Sequence, residues 1–572
     1  MRLERTLNEL GQAAMQKALQ SDAPPVIRRA SDPKHGDFQL NGVLPLAKQM
    51  KKAPRELAVP VAEALSAMDG VEKAEVAGPG FINLTMSKEW LARQLDGDVQ
   101  DVARDGVHTV AERTRIVIDF SGPNIAKQMH VGHLRSTILG AALVEMLRFV
   151  GHEVIGDNHL GDWGTQFGLL IVGMRTFGDE AALEANAITE LERVYKLASA
   201  KAKEDTTFAD AARAELAKLQ SGDPENRATW ARFVATTRKS LDEVYAKLGV
   251  TFDEWLGESA YDSMLAGVID ELVNKGVARE DQGALCVFFE DDPELSKVET
   301  PFIVRKKDGA ALYATTDIAT LMYRRDKFHA SESLYVVDAR QALHFKQLFA
   351  TARKLGIEMK MEHVGFGSIL GTDGKPLKTR DGVSVTLASL LDEAETRAAA
   401  RIREEGLDVP EDELLKVASA VGIGAVKYAD LRQNRVSDYQ FDWDKMISFK
   451  GNAGPYMQYA YARIASIFRK GEIDPLDANG KLSLTEPTEV SLAKELLRFG
   501  DVVHHAAETH QPHLICDHLY SIARLFSAFY EACPVLKSTD SVRESRIALC
   551  SLTLRQLRRG LHLLGLQVVE RM

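Results

Sequence analysis

The chain has 572 residues, 45% of them hydrophobic and 27% charged, which fits several folded domains and excludes a disordered, collagen-like or mini-protein reading. Its net charge of −11 excludes a protein that coats nucleic acid through bulk positive charge. Cys286, Cys516, Cys533 and Cys550 form no CxxC pair, no apolar run approaches ~18 residues and the first ten residues hold no apolar leader, so the sequence predicts no disulfide framework, zinc site, membrane span or secretory peptide, and a cytoplasmic location.

Residues 1–110 read as a small α/β unit. Helices are expected over 3–19, 42–52 and 54–68, the last opening with Pro54, where a proline suits the first turn. A strand-like stretch over 71–84 is broken by Gly78-Pro79-Gly80.

From Arg115 onward, short β-branched runs (116–120, 153–157, 334–337 and 363–366) each lead into a turn and then a helix. Strand alternating with helix predicts a doubly wound parallel sheet of Rossmann-like type over 111–410, with ligands bound beyond the carboxyl ends of the strands. Residues 176–300 are rich in Ala, Glu and Lys and too long for a loop, so they read as an insertion into that sheet. From Glu411 to the end the pattern is helical. Leu519, Ile522, Phe526, Phe529 and Tyr530 form one apolar stripe, and 411–572 reads as an all-α bundle. The expected fold class is therefore α/β, with a small α/β N-terminal domain and a helical C-terminal one.

Chemistry concentrates directly after the first strand run, where His130-Val131-Gly132-His133 stands at the expected start of a helix ending near Phe149. Unpaired N–H groups and the positive dipole end of a helix stabilise phosphate there, and two histidines three apart supply donors as charge develops on a leaving pyrophosphate. Gly132 removes a side chain where a base or phosphate approaches the backbone. An HxGH tetrad is expected by chance only about 0.03 times in a chain of this composition. No Walker A loop is present. A second glycine-rich segment, 365–382, brings Lys375, Lys378 and Arg380 into a loop suited to closing over phosphate.

The HVGH element, the segment Asp157-Asn-His-Leu-Gly-Asp-Trp-Gly-Thr-Gln-Phe-Gly168, and the pairing of Val426-Lys-Tyr-Ala-Asp-Leu431 with Phe441-Asp-Trp-Asp444 resemble arginyl-tRNA synthetases, of class I. The resemblance runs from Ala77 through Gly454-Pro-Tyr-Met-Gln-Tyr-Ala460 to Glu570-Arg-Met572. It implies that arginine attacks ATP, with Mg2+, to give arginyl-adenylate and pyrophosphate, and that the arginyl group then passes to the terminal ribose of tRNA(Arg). Carried over by motif, Lys127, His130, His133, Lys378 and Arg380 would be catalytic, and His130, Gly132, His133 and Gly367 would hold ATP. Asp119, Ser121, Asn124, Tyr313, Asp317 and Gln341 would line the arginine pocket. The family's KMSK signature is altered here to Pro376-Leu377-Lys378-Thr379, without a final lysine. Lys127, just upstream of the first signature histidine, occupies the place where arginyl enzymes put a substitute.

Arginine makes a demand of its own: a planar, permanent cation is selected over lysine by a carboxylate placed for paired hydrogen bonds. For tRNA, the resemblance makes the C-terminal bundle an anticodon-binding domain. Tyr456, Tyr459 and Arg463 share a helix face suited to stacking on unpaired bases, and Arg555, Arg558 and Arg559 share another. Phe38 and Gln39 of the N-terminal unit would meet the tRNA elbow. A monomer is expected. Residues 176–300 hold 26 acidic and 14 basic side chains, so nearly all the negative charge lies in the insertion and a near-neutral remainder is left for salt-sensitive tRNA binding.

Overall fold

In the computed structural model, which describes residues 2–30, 32–307, 309–371, 373–375, 377, 385–407 and 409–572, four parallel strands form the centre, in the order Lys360–His363, Glu332–Tyr335, Arg115–Asp119, Glu153–Asp157. Their register aligns His363, Tyr335, Asp119 and Asp157 in one row at the carboxyl edge. Alternate residues point to opposite faces: Ile116, Ile118 and Leu334 enter one hydrophobic cluster, Val117 and Tyr335 the other. Helix Gly132–Phe149 covers the first face with Leu134, Ile138 and Leu139, and helices Tyr313–Asp326 and Ala342–Lys354 cover the second. A sheet buried on both faces explains its unbroken apolar runs.

The fourth strand lies three residues earlier than the apolar run 363–366 suggests. It is an edge strand, where Lys360 and Glu362 are tolerated, and its apolar followers Val364 and Phe366 are buried after it ends. The stretch expected as one insertion leaves the sheet twice. Helices from Glu180 to Leu248 form the first excursion; the chain then returns to the sheet, with Glu254 bridged parallel to Asp157, before a second excursion builds the antiparallel strands Ala278–Asp281, Ala284–Val287 and Phe302–Arg305.

The N-terminal unit is a four-stranded antiparallel sheet with helices Arg2–Leu19, Val43–Met50 and Pro54–Ser66. The C-terminal helices run from Leu414 to Leu563, and their core is continuous with that of the first sheet face. Leu519, Ile522, Phe526 and Phe529 are buried, whereas Tyr530 is half-exposed at the edge of the stripe. No helix among the described residues is long and apolar enough to cross a membrane.

Candidate active site

The carboxyl edge of the sheet is built on a buried ion triad. Arg324, fully buried on helix Tyr313–Asp326, donates from Nη2 to Asp119 Oδ2 at 2.7 Å and to Asp157 Oδ2 at 2.8 Å, and from Nη1 to Ser333 Oγ at 3.2 Å. Asp119, expected in the arginine pocket, therefore sits on the floor of the site already engaged by the protein's own guanidinium. That contact fixes the helix bearing Asp317 against the strands. His159 brings a third donor atom within 4.8 Å of the two carboxylates, but with Arg324 between the carboxylates this set does not suit a divalent cation.

The segment leading to HVGH is stitched from both sides. Ser121, with φ of +73°, donates its N–H to Ser136 Oγ at 2.8 Å, and its hydroxyl meets Tyr245 Oη at 2.7 Å and Thr137 Oγ1 at 2.9 Å. Ser121 is thus buried in an internal network, while Asn124 is exposed beside Gly161. Helix Pro224–Leu248 supplies that Tyr245 and also Thr237, whose Oγ1 accepts the Ala126 N–H at 3.1 Å.

The two signature histidines form a pair, ring centroids 4.1 Å apart. His130 Nδ1 accepts the Gly132 N–H at 3.0 Å and His133 Nδ1 accepts the His130 N–H at 3.2 Å. Both neutral rings must then carry their proton on Nε2, leaving two donors for phosphate oxygens. Burial, the neighbouring histidine and Lys127 push His133 down to about 4, and burial followed by Lys127 lowers His130. The pair is uncharged near neutrality. We expect kcat for adenylate formation at saturating arginine to show no ionisation step from about pH 6.5 to about pH 8; a step near pH 6.5 that His133→Asn abolishes would contradict the assignment.

Gly132 has a structural purpose beside the one expected. A Cβ there would lie 2.7 Å from the His130 ring, so the glycine makes room for the imidazole. Gly367, expected at ATP, lies against the chain itself: a Cβ would sit 2.6 Å from Asp438 Oδ1 and 2.7 Å from Ser437. Lys127 is exposed, its ammonium 5.2 Å above the Tyr195 ring. The chain beyond the second glycine-rich segment is hydrogen-bonded to the first signature, Val131 N–H to Val385 O at 3.1 Å and Leu387 N–H to Met129 O at 2.8 Å. Lys378 and Arg380 lie outside the described residues.

Beside the buried triad, carboxylates gather. Asp317 Oδ2 meets His344 Nε2 at 2.6 Å. Glu258, unremarked in the sequence, is pushed up to about 8 by burial and by Asp162 and Asp317. Asp162 accepts the Ser259 N–H at 2.8 Å and hydroxyl at 2.6 Å. Tyr313, 61% exposed, borders Glu258, and Gln341 is exposed one residue before the helix that carries His344. A carboxyl kept protonated by burial and by two neighbouring carboxylates would gain from a cation placed beside it. The only sequence signal for Glu258 was a carboxylate directly behind Gly257, in the irregular stretch where the chain comes back to the sheet.

The residues expected on tRNA divide. Tyr456, Tyr459 and Arg463 are half-exposed on helix Gly454–Gly471, and two aromatics the sequence did not assign to RNA join them: Tyr520, with its ring 6.0 Å from Tyr456, and Tyr530, 5.0 Å below the Arg463 guanidinium. The arginine face of helix Asp540–Leu563 is corrected. Arg555 is buried, donating to Asp98 O and Val99 O at 3.1 and 2.9 Å, and Arg559 pairs with Asp105 at 3.2 Å; both hold the end of the N-terminal unit because the helix is covered on that side too. Only Arg558 of the three is exposed. Phe38 lines a cleft of about 680 Å³ between the N-terminal unit and helices Phe499–Glu508 and His513–Ala532, with Arg28, Arg29 and Arg498. Gln39 donates to Asn83 Oδ1 at 2.9 Å.

Three family models match in series: the arginyl-tRNA synthetase N-terminal domain over 3–86, the catalytic domain of class I tRNA synthetases (R) over 99–443, and the DALR anticodon-binding domain over 457–572. Arginine–tRNA ligases of Laribacter hongkongensis and Hahella chejuensis are 47% and 44% identical, with all of both chains covered. Among solved structures, arginyl-tRNA synthetase of Plasmodium falciparum matches with a TM-score of 0.82 at 28% identity over 99% of both chains, and that of Thermus thermophilus with 0.81 at 25% over 99% of this chain and 100% of its own.

Proposed function

Since the chain belongs to the arginyl-tRNA synthetase family and ligates arginine to tRNA(Arg) with ATP, we propose how its residues divide that work. The substrate guanidinium lies between Asp317 and Glu258, with Asp162 behind, Tyr313 and Gln341 at the rim and Arg324 holding the floor through Asp119. Asn124 meets the amino-acid backbone, and Ser121 shapes the turn that carries it.

A carboxylate oxygen of arginine attacks the α-phosphorus of ATP, which enters with Mg2+, and the bond to pyrophosphate breaks. Negative charge that builds on the departing pyrophosphate meets the Nε2–H groups of His130 and His133, the N-terminal N–H groups of helix Gly132–Phe149 and the Lys127 ammonium. Lys378 and Arg380 add charge from the second signature. In the transfer step a terminal ribose hydroxyl attacks the arginyl carbonyl and AMP leaves. Tyr456, Tyr459, Arg463, Tyr520 and Tyr530 offer stacking surfaces to unpaired anticodon bases, and the N-terminal unit that carries Phe38 and Gln39 meets the tRNA elbow. The enzyme acts as a monomer, and in the cytoplasm, where charged tRNA is consumed.

The observation that carries this reading is the neutral imidazole pair at a helix N-terminus beside a carboxylate cluster. Pyrophosphate exchange with each amino acid, with and without tRNA(Arg), tests it. Exchange is expected for arginine alone; no exchange under any condition would overturn it.

A further inference from the structure

Two residues beyond His133, Arg135 is 1% exposed and turns away from the nucleotide side of helix Gly132–Phe149. Its Nε reaches the fully buried Asp430 at 3.1–3.3 Å, in the last turn of helix Leu414–Leu431, and its Nη1 donates to Ser437 O at 3.0 Å. Its guanidinium carbon lies 5.8 Å from the Phe366 ring centroid and 5.2 Å from that of Tyr439. These contacts converge on the root of the second glycine-rich segment.

That root is held by the stretch Arg435–Phe441 more than by the catalytic sheet. Gly367 donates its N–H to Arg435 O at 2.9 Å, Arg435 Nη1 donates to Gly365 O at 2.7 Å, and Ser368 N–H donates to Asp438 Oδ1 at 2.6 Å. Ile369–Leu370 then pairs in parallel with Tyr439–Gln440. The root therefore follows segment 435–441, and Arg135 ties that segment to the histidine-bearing helix.

A buried ion pair is a poor way to gain stability, because apolar residues of equal volume serve as well. Here Arg135 Nη2 is buried without a hydrogen-bond partner among the described residues, a further cost that packing alone would avoid. Direction is what the planar fork supplies: it engages two acceptors, Asp430 and Ser437 O, at set angles beside two aromatic rings.

We propose that Arg135 is a positioning residue for adenylate formation, setting the root of the second signature loop against the first turn of the HVGH helix through Phe366, Tyr439, Ser437 and Asp430. The proposal rests on the reaction assigned above, and wild-type exchange is measured first so that the two are separable. The test is the double variant Arg135→Met/Asp430→Leu, which removes both charges at similar volume, with Arg135→Lys beside it.

For the double variant we expect an unchanged thermal midpoint, KM for ATP and arginine within about threefold, and kcat for arginine-dependent pyrophosphate exchange lower by about 10- to 10²-fold, the scale of a small misplacement of reacting groups. Arg135→Lys, which keeps the charge without the fork, should recover part of kcat. Should the double variant not fold, Arg135→Lys carries the same test through its kcat loss at unchanged KM and midpoint. Wild-type kcat in the folded variants, or a loss that only tracks the folded fraction, overturns the proposal. A wild-type enzyme without arginine-dependent exchange even with tRNA(Arg) present overturns the reaction assignment and this proposal together.

Discussion

Lys127→Ala should lower arginyl-adenylate formation by about 10²-fold or more with the protein still fully folded, the scale for loss of one preorganised charge from a site where negative charge develops. The ammonium is solvent-exposed over the Tyr195 ring, so its removal leaves no buried partner unpaired and stability should change by less than about 0.5 kcal/mol. It is nonetheless close enough to His130 and His133 to disfavour protonation of both. That proximity is what places it, in the proposed mechanism, beside the two Nε2–H donors. Pyrophosphate exchange at saturating ATP and arginine, with tRNA(Arg) present, measures the loss; near-normal exchange would remove Lys127 from the mechanism and return the signature lysine's role to Lys378 or Arg380.

Asp317→Asn should reduce kcat/KM for arginine by about 10²–10³-fold while sparing KM for ATP, as expected when one carboxylate of a desolvated charge pair is neutralised. Glu258 adds a dependence on pH whose sign follows from its environment. With no cation bound, its carboxyl is held near 8, so below that pH it is mostly protonated. A guanidinium favours the ionised form, so arginine must expel a proton to bind. The KM for arginine should then fall by about tenfold per pH unit as pH rises toward about 8, and level off above it. Glu258→Gln should flatten that slope. Arginine titrations from about pH 6 to about pH 9 decide the matter, and a level wild-type profile would dismiss Glu258 as a partner of the guanidinium.

The sequence and the structure agree most where pattern is local. Strands 115–119 and 153–157 and the helix after HVGH could be read because β-branched runs and helical spacing are set within a few residues. Asp317 was reachable through the family resemblance. Glu258 was not, because its character depends on Asp162 and Asp317, which come to it only when the chain returns to the sheet near Glu254. Arg324 was invisible for the same reason: nothing in its own helix signals that two carboxylates from separate strands will close on it. Arg555 and Arg559 misled because helical spacing identifies a face without saying whether water or another segment lies against it.

Those two arginines also bear on the order in which the molecule is assembled during synthesis. Asp105, 1% exposed, finds its guanidinium partners 450 or more residues further along the chain, and at ribosomal speeds of about 5–20 residues per second they emerge roughly 20–90 s later. Through that interval the first unit can fold, but the strap joining it to the catalytic sheet holds an acidic group with no counterion and stays out in water. This particular contact between the first unit and the bundle can therefore close only after helix Asp540–Leu563 has left the ribosome.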